Sequence, residues 1–105
     1  MSDAKLATFR AMVAKNPDNA LARFGLANEA LKAELWDEAI EQLQAYLARY
    51  DDEGNGWGRL AEALVAVGRT GEAREALQRG IAASHRFGHP SMANELEARL
   101  EELED

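Results

Sequence analysis

The sequence predicts an all-α fold built from antiparallel helix hairpins, and three observations support this prediction. Apolar residues recur at steps of three and four, which is the period of an amphipathic helix. Strand-like alternation is absent, and β-branched residues are few. The apolar pattern also repeats every 34 residues, as from Leu26 to Leu60 and from Ala39 to Ala73. A repeat of this length that holds two helices is typical of stacked helical hairpins.

Turn residues separate the helices and set their number. Breaks fall at NPDN (16–19), around Glu34, at DDEGNG (51–56), at GRTG (68–71) and at FGHPS (87–91). Glycine, proline and asparagine interrupt a helical pattern at such points. We therefore predict about six helices, at residues 3–15, 19–33, 36–50, 55–67, 70–87 and 90–103.

The first five helices carry apolar residues in a shared register. Two series of three residues recur at the 34-residue interval: Phe9, Leu43 and Leu77, and Val13, Leu47 and Ile81. The third helix places Ala39, Ile40, Leu43, Leu47 and Tyr50 on one stripe. The fourth helix does the same with Trp57, Leu60, Ala61, Leu64 and Val67. Each helix is therefore expected to bury one face.

The last helix departs from this register. Its apolar residues reproduce the spacing of the fourth helix at an offset of 36: Ala93, Leu96, Leu100 and Leu103. Two extra residues in the connection SHRFGHPS account for the change. We expect a capping helix that lays this stripe on the last repeat and turns its glutamates largely towards water: Glu95, Glu97, Glu101 and Glu102. A free coiled-coil strand is the weaker alternative, because two heptads are too short to sustain one.

These positions resemble the tetratricopeptide repeat (TPR) family. The second unit matches the pattern W-x-x-L-[GA]-x-x-[YL]…G…A-x-x-x-[FYL] at Trp57, Leu60, Ala61, Leu64, Gly68, Ala73 and Leu77. The first unit matches at Leu26, Ala27, Ala39 and Leu43, with Arg23 in the tryptophan slot and Glu34 in the turn-glycine slot. The resemblance covers residues 3–87 and implies a TPR-like α-solenoid.

The resemblance also implies a division of the chain. We expect one domain over residues 1–105, which opens with a half-repeat helix at 3–15. Two full repeats follow, at 19–50 and 54–87, and then the capping helix at 90–103. The last two residues, 104–105, form the end of an acidic tail.

Composition limits the compartment and the class of partner. The chain of 105 residues has no cysteine, which leaves neither a disulfide framework nor a thiolate metal site. No apolar run approaches the ~20 residues that span a bilayer, and the N-terminus lacks a signal-peptide pattern. We therefore expect a cytoplasmic protein without membrane contact. The net charge of -7 argues against nucleic acid, because an acidic surface repels phosphate.

The stretch DDEGNGWGRLAE (51–62) has the spacing of a calcium-binding loop. Asp51, Glu53, Asn55, Gly56 and Glu62 supply oxygen ligands and a glycine turn at suitable steps. The 34-residue register, however, places residues 55–62 in the first two turns of a helix, which cannot wrap around an ion. We therefore interpret the stretch as a helix boundary and predict no metal site and no cofactor.

Other reactive arrangements are also weak. His85 and His89 are four residues apart, but Gly88 and Pro90 interrupt the helix, so the two rings diverge. Ser84 precedes His85 without a third catalytic group. The run GNGWGRL lacks the Lys-Ser/Thr pair that completes a phosphate-binding loop. We therefore predict that the protein is not an enzyme.

In proteins that resemble TPR arrays, the first helix of each pair lines a groove that binds peptides or helices. Carried over in the same register, the resemblance implies groove residues in the first unit at Leu21, Phe24, Asn28, Leu31 and Lys32. It implies others in the second unit at Asn55, Gly58, Glu62, Val65 and Ala66. Some family members clamp acidic chaperone tails, which Asn28 and Lys32 would suit, but Phe24 stands where a lysine is expected and Glu62 would repel a carboxylate.

The sequence therefore predicts a non-catalytic interaction module whose partly apolar groove binds a peptide or an amphipathic helix. Phe24 is either an anchor in this groove or a core residue against a neighbouring helix. The alternative function is a structural homodimer that uses the same apolar surface. Binding of calcium or another metal is a distant third.

Overall fold

The computed structural model describes residues 2–104, and within this range it contains six α-helices and no strand. The helices are α1 (Ser2–Lys15), α2 (Ala20–Lys32), α3 (Trp36–Arg49), α4 (Asn55–Ala66), α5 (Thr70–Arg86) and α6 (Pro90–Glu104). The prediction of an all-α fold is confirmed. Helix ends differ from the prediction by one residue at most. The predicted ranges had included capping residues, such as Asn19 before α2 and Tyr50 after α3.

The chain divides into two compact units, Met1–Tyr50 and Asp51–Asp105. In the first unit α2 packs against both α1 and α3, and in the second α5 packs against both α4 and α6. Each unit thus consists of three helices in which consecutive helices form hairpins. That residues 1–105 act as a single domain stays a prediction.

The two units bury equivalent residues. Leu26 is 1% exposed and Leu60 is 5% exposed, while Ala39 and Ala73 are both fully buried. The core of the first unit comprises Leu6, Ala22, Leu26, Ala27, Ala30, Leu31, Ala39, Ile40, Leu43 and Tyr46. That of the second unit comprises Leu60, Ala61, Ala63, Leu64, Ala73, Ala76, Leu77, Ala83, Ala93 and Leu96. The 34-residue register therefore describes the packing as well as the sequence.

Three hairpin turns share one backbone geometry. The φ angle is 59° at Glu34, 81° at Gly68 and 75° at Gly88, all in the left-handed region. In each turn the next backbone N–H donates to a carbonyl five residues earlier, at 2.8 Å: Leu35 to Ala30, Arg69 to Leu64, and His89 to Ser84. These bonds satisfy carbonyls that the helix end leaves unpaired. Glu34 thus adopts the conformation for which a glycine was expected, and the register of the first unit is kept.

A close apolar contact and an ion pair join the first helix to the rest of its unit. The ring of Phe9 lies so close to Gly25 that a Cβ at Gly25 would collide with it. The guanidinium of Arg10 donates two hydrogen bonds to the Glu38 carboxylate, at 2.6 and 2.8 Å. The hydrogen bonds from Arg10 hold the pKa of Glu38 below its ordinary value. The half-repeat helix α1 therefore contacts both α2 and α3.

None of the helices in the described range is both long and apolar enough to cross a membrane.

Candidate functional site

The predicted groove residues of the first unit lie on α2, whose start is fixed by its cap. The side chain of Asn19 accepts a hydrogen bond from the N–H of Ala22 at 3.1 Å, and this bond satisfies one of the free donors of the first turn. Arg23, in the slot where the family has tryptophan, donates to the Pro17 carbonyl at 2.8 Å and to Gln42 at 2.9 Å. These bonds hold the first turn of α2 against α3 and leave Leu21 72% exposed.

Phe24 lies three residues after Leu21 and is half-buried. Its ring centroid is 4.7 Å from that of Tyr46, and Tyr46 stacks on Tyr50 at 5.2 Å. Tyr46 is 4% exposed, whereas Tyr50 is 46% exposed. The contact with Tyr46 supports packing against a neighbouring helix, and the role of Phe24 in a groove stays a prediction. Its ring contacts a buried tyrosine, and the residue as a whole remains partly exposed.

The second half of α2 is less accessible than the prediction assumed. Leu31 is only 8% exposed and belongs to the core. Lys32 is exposed and pairs with Glu29 at 3.3 Å. The Oδ1 atom of Asn28 is buried and has no hydrogen-bond partner among the described residues. The apolar surface of α2 that a partner can reach is therefore Leu21 and Phe24, which we call the α2 patch.

In the second unit, the start of α4 is capped by an aspartate that the sequence did not single out. The Oδ1 atom of Asp52 accepts hydrogen bonds from the N–H groups of Gly54 and Gly56, both at 2.8 Å, and Asp52 is 2% exposed. The neighbouring Asp51 instead receives a hydrogen bond from Arg86 at 2.8 Å. Both carboxylates therefore serve the fold at this helix boundary.

Three other residues of the calcium-loop pattern lie within α4, which begins at this boundary. Asn55 is the first residue of α4, and Gly56 and Glu62 follow within this helix, as the register had indicated. A helix start of this kind separates Asp51 from Glu62 instead of closing a loop around an ion. No group of three or more His, Asp or Glu residues suited to a metal occurs within the described range.

The predicted groove residues of α4 lie on the side that contacts α6. Asn55, Gly58 and Glu62 line one cleft between the two helices, with a volume of about 240 Å³. Glu62 and Val65 line a second cleft between them, with a volume of about 220 Å³. The structure thus brings these four residues together along α4. Ala66 is exposed at the end of the helix.

Gly58 has a different role from the one expected. The sequence predicts it only as one of the groove residues that a partner would contact. A Cβ at this position would instead meet Arg99 at 3.0 Å and Leu96 at 3.1 Å, both from α6. The guanidinium of Arg99 also donates to the Gly58 carbonyl at 2.8 Å. The missing side chain therefore admits the chain's own last helix.

Sequence reasoning missed the residues that α6 contributes to these clefts. Met92, Glu95, Leu96 and Arg99 line the first cleft, and Arg99, Glu102 and Leu103 line the second. The signal was weak, because α6 was treated as a cap with its glutamates in water. Its single arginine among six acids at residues 95–105 was the one feature that could have indicated an inward-facing polar residue.

The two histidines do not form a site together. His85 Nε2 lies 3.6 Å from the Glu97 carboxylate, and both side chains are at least half exposed. His89 lies in the turn after Gly88, beyond the end of α5. The hydroxyl of Ser84 is fully buried and donates to the carbonyl of Gly80 at 2.8 Å, so it is not presented to a substrate.

Known proteins resemble this chain in sequence and in fold. Residues 1–60 match a family described as tetratricopeptide repeat. The chain is 34% identical over 93 residues to the TPR repeat-containing protein PA0015 of Pseudomonas aeruginosa, and the match covers 89% of each chain.

Two solved structures share the fold. The solution structure of protein BPP2914 from Bordetella parapertussis has a TM-score of 0.77 at 31% identity, covering 93% of this chain and 85% of that one. The crystal structure of MamA has a TM-score of 0.75 at 18% identity, covering 97% of this chain and 68% of that one. The MamA likeness concerns the fold alone.

Proposed function

Because the chain belongs to the tetratricopeptide repeat family, whose members generally mediate protein–protein interaction, we propose that it binds a segment of a protein partner on the α2 patch. The segment is a peptide or an amphipathic helix that lays apolar side chains on Leu21 and Phe24. Binding is non-covalent and involves no chemistry of the chain's own. The observation that carries the proposal is the 72% exposure of Leu21 beside a half-buried aromatic ring.

The geometry of the patch supports an apolar anchor site. Leu21 and Phe24 are three residues apart on one helix, so their side chains lie on the same face. Contact with buried Tyr46 holds the Phe24 ring in place, and a rigid aromatic surface loses little conformational entropy when a partner binds. Aromatic residues at the centre of an interface carry much of its binding energy.

An exposed cation lies on α2 at a distance from the patch. Lys32 lies at the far end of this helix, and its side chain is 66% exposed although it pairs with Glu29. The Glu29 side chain is only 10% exposed, so the ammonium group of Lys32 is the part of this pair that an acidic group of a partner can reach. We propose that Lys32 sets the direction in which the bound segment runs.

A binding experiment with substituted proteins tests the proposal. Leu21→Glu places a charge on the patch without disturbing the core, because Leu21 is mostly exposed. Leu35→Glu is the matched control, since Leu35 is an exposed leucine (40%) outside the patch. A partner is first captured from lysate with the unmodified chain, then purified and titrated by calorimetry. We expect Leu21→Glu to weaken binding by about tenfold or more, as at a central interface residue.

Phe24→Glu adds a second test, with circular dichroism as its reference. If Phe24 acts mainly as an anchor, the variant loses the partner and keeps its helicity. A partner that binds both Leu21→Glu and Phe24→Glu as tightly as the unmodified chain would rule out the α2 patch.

A further inference from the structure

The second cleft between α4 and α6 has an apolar floor that opens to solvent. Ala61 and Leu77 form buried parts of this floor, and Leu103 borders it from α6. Val65 stands at the opening and is 42% exposed. With about 220 Å³, the cleft has room for one or two aliphatic side chains but not for a drug-sized ligand.

Carboxylates surround this floor. Glu62 of α4 and Glu102 of α6 line the cleft itself, and Glu95 lines the adjoining cleft. All three are exposed, and within residues 2–104 none of their carboxylates takes part in an ion pair or a side-chain hydrogen bond. Glu95 and Glu102 are seven residues apart on α6, which is two helical turns, or about 10 Å.

The cations nearby are already engaged. Arg99 lines both clefts and donates to the carbonyl of Gly58 at 2.8 Å. Arg59 lines the first cleft and also takes part in an interaction within the chain. A bond to a carbonyl does not cancel the charge of Arg99, but the three carboxylates outnumber the two arginines, so the lining of the two clefts carries a net negative charge.

We infer that this second cleft receives an apolar side chain from a protein segment that carries lysine or arginine on either side of it. The inference rests on the proposed function, because it gives the bound protein a second contact surface and specifies its charge. Opposite charge at an apolar pocket favours encounter and excludes acidic competitors. Acidic segments would place like charges opposite Glu62 and Glu102, which is unfavourable.

The test uses two synthetic helical peptides of 14 residues. One has leucines at helical spacing between lysines, and the other has the same leucines between glutamates. Each is titrated into the isotope-labelled full chain, and amide chemical shifts are followed by NMR. We expect the lysine peptide to shift amides at residues 61–65 and 99–103 saturably, and the glutamate peptide to leave them in place.

Matched double variants separate local contacts from overall charge. Glu62→Gln with Glu102→Gln removes both cleft carboxylates, whereas Glu41→Gln with Glu101→Gln removes two exposed carboxylates outside the cleft and changes the net charge equally. Two rim ion pairs correspond to roughly threefold to tenfold in affinity. We expect that loss for the cleft variant alone, and weaker binding of the lysine peptide to the unmodified chain at high salt.

Four outcomes would overturn the inference. The first is equal binding of both peptides, or of neither. The second is equal affinity of the two double variants. In the third, shifts appear at Leu21 and Phe24 but not along α4 and α6, which would remove the cleft and leave the α2 patch standing. Self-association that the cleft variant abolishes would likewise overturn it, because a second copy would then occupy the cleft.

Discussion

At the scale of single residues, capping and turn positions show how much the fold depends on a few polar contacts. Asp52 is buried because its carboxylate satisfies two N–H groups at the start of α4. Asp51, its neighbour in sequence, is exposed and pairs with Arg86 on the surface. We therefore expect these two adjacent aspartates to contribute differently to the free energy of unfolding, and single substitutions can measure the difference.

We predict that Asp52→Ala lowers the free energy of unfolding by about 1–2 kcal/mol, because two helix-terminal donors lose their acceptor. Asp51→Ala is the matched control and should change it by no more than about 0.5 kcal/mol, as is usual for an exposed ion pair. Urea denaturation followed by circular dichroism measures both. Asp52→Asn keeps the acceptor oxygen and should recover most of the loss. Equal values for the two alanine variants would show that Asp52 is no cap.

Phe24 and Asp52 also mark the limit of sequence reasoning at this scale. Helical spacing places Phe24 on one face of α2, but it does not say whether that face meets Tyr46 or solvent, and the structure shows both. The stretch at 51–56 was correctly interpreted as a helix boundary. Which of its two aspartates turns inward depends on backbone angles that the sequence does not reveal.

At the scale of helices, the ion pair of Arg10 with Glu38 connects α1 to α3. The hydrogen bonds from Arg10 lower the pKa of Glu38 in the folded chain from its ordinary value of 4.5. A carboxyl group with a lowered pKa adds stability above its unfolded pKa, and this contribution is lost as the pH falls through the folded pKa. The pair should therefore contribute at neutral pH and not in acid.

We predict that Glu38→Gln lowers the free energy of unfolding by about 0.5 kcal/mol at pH 7, a small value because Arg10 is half exposed and screened by solvent. The difference from the unmodified chain should shrink as the pH is lowered below about 4. Urea titrations at a series of pH values measure it, with the exposed Glu41→Gln as the control. A difference that stays constant down to pH 3 would contradict this account.

The α5 helix contains two glycines in different surroundings. A Cβ at Gly80 would lie 2.9 Å from Trp57 Cβ and 3.0 Å from a Leu96 methyl group, whereas a Cβ at Gly71 would meet nothing within 4 Å. Gly80 is therefore where α4 and α6 both approach α5 closely. The helix pattern in the sequence includes both glycines and does not distinguish them.

We predict opposite effects for the same substitution at these two positions. Gly80→Ala should lower the free energy of unfolding by about 1–3 kcal/mol, because the added methyl group forces apart packed side chains. Gly71→Ala should raise it by about 0.5 kcal/mol, because alanine favours a helix. Thermal and urea unfolding measure both changes. A stabilising Gly80→Ala would mean that α6 moves aside at little cost.

The elements themselves were more predictable than their contacts. Apolar spacing and turn residues placed all six helices to within one residue, because both signals are local. The contribution of α6 was not foreseen, since the offset of 36 indicates a cap but not its rotation about its own axis. Arg99 and Glu102 therefore entered the candidate site only through the structure.

At the scale of the whole molecule, negative charge is concentrated where the second cleft lies. The net charge is -7, and residues 95–105 hold six acids and one arginine. The excess of acidic residues is visible in the sequence, and it is the reason why we did not expect nucleic acid as a partner. The structure adds that part of this charge stands beside an apolar floor. Under the inference above, the negative charge that repels phosphate also favours a protein segment with lysine or arginine beside an apolar side chain.

The shared geometry of the hairpin turns has a consequence for how such a chain can lengthen. The bonds from Leu35 to Ala30 and from Arg69 to Leu64 are alike, so residues 35–68 begin and end at interchangeable joints. If that stretch were duplicated in tandem, the two copies would be joined by a turn of the same geometry, and no new type of loop would be needed. The turn geometry is therefore compatible with lengthening by duplication of a repeat. The surface residues of each added copy could then change without affecting the turns.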